Sequence, residues 1–185
     1  MNLDELEKNL QKCTSCGLCR TRTNMVFGKG SRDAQVMFVG EGPGEEEDRQ
    51  GKPFVGKAGQ LLDRIIAASE LLPEHVYICN VVKCRPPGNR LPNEEEVDAC
   101  KPFLREQIRL IRPKIIVCLG ALATQTIVRP EARITRDRGL WVQKGSFYIM
   151  PTFHPAALLR DPSKKRLVWE DMKQVRDRYK SILNK

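Results

Sequence analysis

Four cysteines are spaced so that together they could bind a metal ion or an iron–sulfur cluster. Cys13 and Cys16 form a C-x2-C pair, and Cys84 and Cys100 follow much later in the chain. Two neighbouring thiolates and two distant ones can close a four-thiolate site, but their spacing does not separate zinc from an iron–sulfur cluster. Cys19 extends the pair to C-x2-C-x2-C and is a rival ligand. The other two cysteines lie inside apolar runs, where we expect them to pack as small apolar side chains.

Polar side chains stand at the ends of several apolar runs. Glu41, Asn80 and His154 each follow or end such a run, and Gly120 ends another. If these runs are parallel strands, their carboxyl ends meet at the edge of the sheet where ligands bind in α/β proteins. The sequence therefore predicts a ligand-binding site at this edge, with the three polar side chains as its candidate chemical groups.

Two glycine-rich segments resemble nucleotide-binding loops but match neither motif. The segment Gly40–Gly44 reads GEGPG, and Glu45 stands where a dinucleotide-binding fingerprint has its last glycine. The segment Gly51–Ala58 is one residue short of a Walker A loop and ends in alanine where serine or threonine would bind magnesium. The acidic run Glu45–Asp48 is better explained as the solvated start of a helix than as a magnesium site.

Four nearly continuous apolar runs predict strands that are buried on both faces. Amphipathic patterns between and around them predict helices, one of which begins at a capping box formed by Asn93 and Glu96 and is either kinked or divided by Pro102. Strands that alternate with helices indicate a parallel sheet with helices on both faces. The predicted strands are Gln35–Gly40, Val76–Val82, Lys114–Gly120 and Ser146–Thr152, and the other predicted helices cover residues 3–11, 57–69 and 164–183.

The chain has 185 residues, 41% of them hydrophobic and 30% charged, which is typical of one folded domain spanning residues 1–185 and not of a disordered chain. Its longest apolar run, Ile115–Ala123, is far too short to cross a bilayer, and its amino terminus does not resemble a secretory signal. We therefore expect a cytoplasmic protein with no membrane contact. The 32 basic residues outnumber the 23 acidic ones and give a net charge of +9, which favours a polyanionic partner such as nucleic acid.

Four segments occur along the chain in a characteristic order. They read VGEGPGEEED at 39–48, GKPFVGKAGQLLD at 51–63, YICNVVKCRPP at 77–87 and HPAALLR at 154–160. Together they resemble the family 4 uracil-DNA glycosylases, the iron–sulfur members of the uracil-DNA glycosylase superfamily. The resemblance covers nearly the whole chain, from Cys13 to the carboxyl-terminal helix.

The resemblance implies a fold and a cofactor. The fold would be a three-layer α/β/α sandwich around a four-stranded parallel sheet. The cofactor would be a [4Fe-4S] cluster whose ligands correspond to Cys13, Cys16, Cys84 and Cys100. The resemblance therefore favours an iron–sulfur cluster over zinc, and it makes Cys19 a weaker candidate ligand. The cluster would mainly tie the amino-terminal helix to the segment 84–100.

The resemblance also implies a reaction, the hydrolysis of the bond between uracil and deoxyribose after the base has left the DNA stack, which leaves an abasic site for base excision repair. Phe54 would stack on the base, and Asn80 would pair with uracil O4 and N3–H. The backbone of Gly40 and Gly42 would line the pocket, because glycine permits close approach.

Two further side chains would assist bond cleavage. His154 would hydrogen-bond uracil O2 as negative charge develops there. Glu41 would orient the attacking water, stabilise the cationic sugar, or both. Many superfamily relatives carry an aspartate one position later, where this chain has Gly42.

The remaining expected contacts are with DNA. Leu158 and Leu159 would insert as apolar wedges into the base stack, and Arg160 and Arg85 would contact phosphates. The resemblance implies a monomer that acts on single- or double-stranded DNA containing uracil, in association with the nucleoid.

An alternative of another class is a catalytically silent iron–sulfur protein that binds DNA or senses redox state on the same scaffold. The co-occurrence of Glu41, Phe54, Asn80 and His154 argues against it, because a protein that only binds DNA does not need this set.

Overall fold

Six strands form one mixed sheet in the computed structural model, which describes residues 1–185. The strands are β1 (Lys29–Gly30), β2 (Val36–Gly40), β3 (Val76–Asn80), β4 (Ile115–Leu119), β5 (Val142–Lys144) and β6 (Phe147–Thr152). Their order across the sheet is β1-β3-β2-β4-β6-β5. The pairs β3–β2, β2–β4 and β4–β6 are parallel, whereas β1 and β5 pair antiparallel with β3 and β6 at the two edges.

The expected four-stranded parallel sheet therefore describes only the centre of the sheet and must be corrected to six strands of mixed direction. All four predicted apolar runs contain a strand. The two strands that were not predicted are two and three residues long, and none of their residues is buried. They carry no apolar run because they lie at the edges of the sheet, where the core does not require one.

The two faces of the sheet are each covered by helices and have separate apolar cores. Along β2, Met37 and Val39 belong to one core, whereas Val36 and Phe38 belong to the other, as the two-residue period of a strand requires. The first core takes residues from α1 (Leu3–Leu10), α4 (Glu94–Ile111) and α5 (Ala121–Ile127), and the second takes them from α3 (Lys57–Ala68), α7 (Pro155–Arg160) and α8 (Lys165–Leu183). Two short helices, α2 (Glu45–Gln50) and α6 (Ile134–Asp137), complete the set.

The predicted capping box at the start of α4 is confirmed. The Asn93 side-chain oxygen accepts from the Glu96 backbone N–H at 2.8 Å, and the Glu96 carboxylate accepts from the Asn93 N–H at 3.1 Å. The helix then continues through Pro102 without dividing. None of the helices combines the length and apolar composition that a bilayer-spanning segment would need.

A buried ion pair fixes the end of β6 against α8. The Asp171 side chain is fully buried and accepts from the Thr152 hydroxyl at 2.7 Å and from the Arg138 guanidinium at 3.0 Å. The same guanidinium donates to the Leu167 carbonyl at 3.2 Å. Because Thr152 is the last residue of β6, this network sets the position from which the chain proceeds to His154.

We expect the substitution Asp171→Ala to lower the free energy of unfolding by about 3–5 kcal/mol, because it leaves a largely buried guanidinium without its carboxylate. Urea denaturation measures the change. The matched control is Asp177→Ala on the exposed side of the same helix, which we expect to change stability by less than about 0.5 kcal/mol. Equal effects of the two substitutions would contradict the role assigned to Asp171.

Candidate active site and metal centre

The carboxyl ends of three parallel strands meet at one cleft, as the sequence predicted. Glu41 directly follows β2, Asn80 is the last residue of β3, and His154 follows β6 as the N-cap of α7. All three side chains line the same cleft. Gly120, at the end of β4, lies behind the histidine, and a methyl group there would be 3.1 Å from the His154 Cβ atom.

Asn80 offers an unused hydrogen-bond acceptor at the base of the cleft. Only 2% of the residue is exposed, and its side-chain oxygen has no hydrogen-bond partner in the protein. An unpaired buried acceptor typically costs about 1–3 kcal/mol, which a ligand with a donor group would recover. This oxygen and the Phe54 ring pack directly against Gly40, because a methyl group there would lie 2.5 Å from the oxygen and 2.6 Å from the ring. Gly42 lines the cleft above.

Phe54 forms an aromatic wall of the cleft. Its ring is stacked on the His154 ring, with 5.5 Å between the centroids and 28° between the planes. Its backbone has a φ of 52°, a strained conformation for a residue other than glycine. Two neighbours hold this conformation. The Lys29 ammonium donates to the Phe54 carbonyl at 3.3 Å, and Gly59 packs so closely that a methyl group there would be 1.9 Å from the same oxygen.

Glu47 is a positioning residue that the sequence analysis missed. Its carboxylate accepts from the backbone N–H groups of Gly44 at 3.1 Å, Val55 at 3.0 Å and Gly56 at 2.8 Å. These contacts join the start of α2 to the loop that carries Phe54. The acidic run was interpreted only as a solvated helix start. Glu47 stands three residues after Gly44, and this capping-box spacing could have predicted its hydrogen bond to the Gly44 N–H. Nothing in the sequence predicts its bonds to the loop.

Burial holds the His154 ring in its neutral form. Burial lowers the pKa of this half-buried side chain to about 4, and the charge of Arg160 lowers it further, whereas Glu47 acts in the opposite direction. Its Nδ1 atom accepts from the Ala156 backbone N–H at 3.1 Å. A neutral imidazole whose Nδ1 is an acceptor carries its proton on Nε2. The ring therefore offers an N–H donor without a positive charge.

Glu41 lies in the same cleft as a partly buried carboxylate. Burial raises the pKa of this carboxyl group, and the nearby charge of Arg160 lowers it. A carboxylate in such a place can accept a hydrogen bond from water and stabilise a neighbouring cation.

The four residues expected to contact DNA differ in their exposure and in their position relative to the cleft. Leu158 is 1% exposed and packs in the apolar core of its sheet face, so the expectation that it is a wedge is wrong. Leu159 is 46% exposed and free to make a contact. Arg160 lines the cleft. Arg85 does not line it, but donates at 2.7 Å to the side chain of Asn89, which does.

The four cysteines of the predicted quartet line one small cavity. The segment after α1 contributes two of them, the segment after β3 one, and α4 the last. Cys19 lines the same cavity, so its position alone does not remove it as a rival. The two remaining cysteines are buried in strands, as predicted. The members of the quartet are Cys13, Cys16, Cys84 and Cys100, and the strand cysteines are Cys79 and Cys118.

The quartet provides sulfur donors but no preformed site for a single metal ion. The four thiols line a mostly apolar cavity, and no three histidine, cysteine or acidic side chains are close enough together to hold one ion. Burial raises the pKa of Cys84, and raises that of Cys100 to about 11, so both remain thiols at neutral pH unless positive charge is placed among them. The iron ions of a bound cluster would supply such charge. The Arg22 guanidinium already donates to the Cys84 sulfur at 3.1 Å.

Comparison with known proteins places the chain among glycosylases. Residues 27–173 match the profile of the family described as "Uracil DNA glycosylase superfamily". The chain is 47% identical over 180 residues to a Type-4 uracil-DNA glycosylase of Thermotoga maritima, covering 94% of this chain and 93% of that protein. It is 44% identical over 187 residues to the Type-4 enzyme of Sulfurisphaera tokodaii, covering 95% and 84%. A Type-5 uracil-DNA glycosylase of Pyrobaculum aerophilum is 31% identical over 163 residues, covering 79% and 71%.

We expect the His154 ring to stay neutral down to about pH 5, because its folded-state pKa of about 4 lies below the value of 6.5 for a free histidine. The unfolded chain then binds more protons than the folded one between these two values, so this group destabilises the fold as the pH falls through that window. The Cε1–H NMR shift, assigned with His154→Gln, measures the titration. A midpoint near 6.5 would contradict the neutral assignment.

Proposed function

The chain belongs to the uracil DNA glycosylase superfamily, and we propose that it is a monofunctional uracil-DNA glycosylase, which turns uracil out of DNA and hydrolyses its N-glycosidic bond. The product is an abasic site, and the biological context is base excision repair of deaminated cytosine. The observation that carries the proposal is the unpaired, buried side-chain oxygen of Asn80, which lies at the base of a cleft with an aromatic wall and a neutral imidazole donor.

Base recognition is assigned to four residues. The Asn80 oxygen accepts from uracil N3–H, while its NH₂ group donates to O4. Cytosine has an acceptor at N3 and an amino group at C4, so it would leave both groups of the amide unpaired in a buried place. Phe54 stacks on the base, and the backbone of Gly40 and Gly42 lines the pocket.

Bond cleavage is assigned to His154 and Glu41. As the bond from N1 to C1′ breaks, its electron pair leaves with uracil, and the Nε2–H of His154 donates to O2, where negative charge develops. A donor fixed in this way typically contributes about 10²–10³ in rate. The Glu41 carboxylate stabilises the cationic sugar and orients the water that adds to C1′, whose proton then passes to that carboxylate or to solvent.

The DNA contacts are proposed at the rim of the cleft. Arg160 and Arg85 bind phosphates, in keeping with the net charge of +9. Leu159, which is exposed on α7, fills the space that the extruded base leaves in the stack. We propose that the chain acts as a single domain and a monomer on single- or double-stranded DNA, in the cytoplasm with the nucleoid.

The proposed cofactor is a [4Fe-4S] cluster held by Cys13, Cys16, Cys84 and Cys100. The shared, mostly apolar cavity supports it. When bound, such a cluster supplies iron–thiolate bonds that crosslink the amino-terminal segment to the segment after β3 and to α4. Its role in this proposal is to hold these elements together, and the hydrolysis uses only protein side chains and water.

We expect the wild-type protein to cleave a duplex containing one uracil only after alkali treatment, and to leave a matched thymine duplex intact. Asn80→Ala should lower kcat/KM by about 10²-fold, because two hydrogen bonds of about 1.5 kcal/mol each are lost. DNA affinity should change little, and the exposed control Asn184→Ala should behave as wild type. Tight DNA binding without any excision by the wild-type protein would instead favour a catalytically silent binding or sensing protein.

We expect Cys100→Ser to lower the iron content and the visible absorption of the purified protein, because one of four thiolate ligands is lost. Cys19→Ser is the matched control in the same cavity and should retain about four iron atoms per chain. Iron analysis together with the absorption spectrum measures both variants. Equal loss from the two variants, or zinc in place of iron, would contradict the proposed ligand set.

A further inference from the structure

Lys83 is a buried lysine with no carboxylate partner. Only 2% of the residue is exposed, and no ion pair in the structure includes it. Its ammonium donates to the backbone carbonyl of Asn80 at 2.6 Å. A buried ammonium without an opposite charge is strongly disfavoured. The Lys83 ammonium therefore requires a negatively charged partner, which the neutral groups around it do not provide.

The same residue reaches the cysteine cavity. Lys83 lines that cavity directly before Cys84, together with Cys100. Its positive charge also lies close to the buried Cys79 sulfur. Lys83 therefore donates to the last residue of β3 and also lines the cavity of the proposed cluster site.

We propose that Lys83 is a positioning residue that provides the internal positive charge opposite the iron–sulfur cluster and, through the same ammonium, fixes the carbonyl of the base-reading Asn80. A four-thiolate iron–sulfur cluster carries net negative charge, which is the missing partner of the buried ammonium. A charged donor also forms a stronger bond to a carbonyl than a neutral one. The base-reading half of this proposal rests on the function proposed above.

Arg22, the second cation near the cysteines, does not connect them to Asn80. Arg22 donates to the Cys84 sulfur at 3.1 Å and to the Gln11 carbonyl at 3.3 Å, and it is partly exposed to solvent. It makes no contact with Asn80. Lys83 alone connects the two sites, which lie at opposite ends of the short segment between Asn80 and Cys84.

The test compares Lys83→Met, which removes the charge and keeps the length, with Lys83→Arg, which keeps the charge. Lys173→Met, an exposed substitution on α8, is the matched control. Each protein is purified with its cluster. Three quantities are measured: the midpoint potential of the cluster, the rate of iron loss to a chelator, and the single-turnover rate of uracil excision by protein with full iron content.

We expect Lys83→Met to shift the midpoint potential to more negative values, to lose iron at least tenfold faster and to excise uracil at least tenfold more slowly. Lys83→Arg should lose iron within twofold of the wild-type rate, and the control should match wild type in all three quantities. An unchanged potential and iron loss in Lys83→Met would overturn the proposal, as would excision at the wild-type rate despite faster iron loss.

Two other outcomes are also decisive. If Lys83→Met does not fold, Lys83→Arg is compared with wild type, and tenfold faster iron loss despite the retained charge would overturn the proposal. If the wild-type protein excises no uracil, the proposed function and the base-reading half of this inference fail together. The potential and the iron loss then still decide whether Lys83 is the counter-charge of the cluster.

Discussion

The close packing around Gly40 is the constraint on which the site depends. Parallel strands bring Glu41, Asn80 and His154 to one edge of the sheet, and the Asn80 side chain and the Phe54 ring pack directly against Gly40, the last residue of β2. A single methyl group at Gly40 would lie 2.5 Å from the Asn80 oxygen and 2.6 Å from the Phe54 ring, so only glycine lets both groups take these positions. The strained backbone of Phe54 and the unpaired amide oxygen are two costs of this arrangement, and a ligand that donates to the oxygen would offset the second.

Strand β3 links the two halves of the molecule. Its last residue is Asn80, and four residues later the chain supplies Cys84 to the cysteine cavity. So short a segment has little freedom once both ends are fixed, and Lys83 within it donates to the Asn80 carbonyl and lines the cysteine cavity. A crosslink among the cysteines would thus stabilise more than the amino-terminal segment: it would also restrict the strand end that presents the amide. This coupling explains how a group remote from the reacting bond can matter for base recognition without taking part in hydrolysis.

The sequence predicted the central strands and the main site residues because both depend on local signals. Buried parallel strands appear as apolar runs, and the strand-end rule then locates Glu41, Asn80 and His154. The edge strands were missed because exposed residues at a sheet edge need no apolar pattern. Glu47 and Leu158 were misjudged for another reason. Glu47 bonds to a loop that is distant in the sequence, and Leu158 packs in the core. Both environments depend on tertiary contacts, and no local sequence pattern distinguishes such positions from solvent-exposed ones.

Charged side chains of both signs line the cleft. The chain is basic overall, and the cleft carries the carboxylates of Glu41, Glu45, Glu46 and Glu47 together with the cations of Lys57, Arg90 and Arg160. In the proposed function, the cations would bind phosphates, and the uncharged base would enter without an electrostatic penalty. The neutral His154 fits the same arrangement, because it donates to a ligand without attracting a phosphate. In the proposed reaction, the carboxylates near the cleft then face the one cationic species that forms there, the sugar from which uracil has just departed.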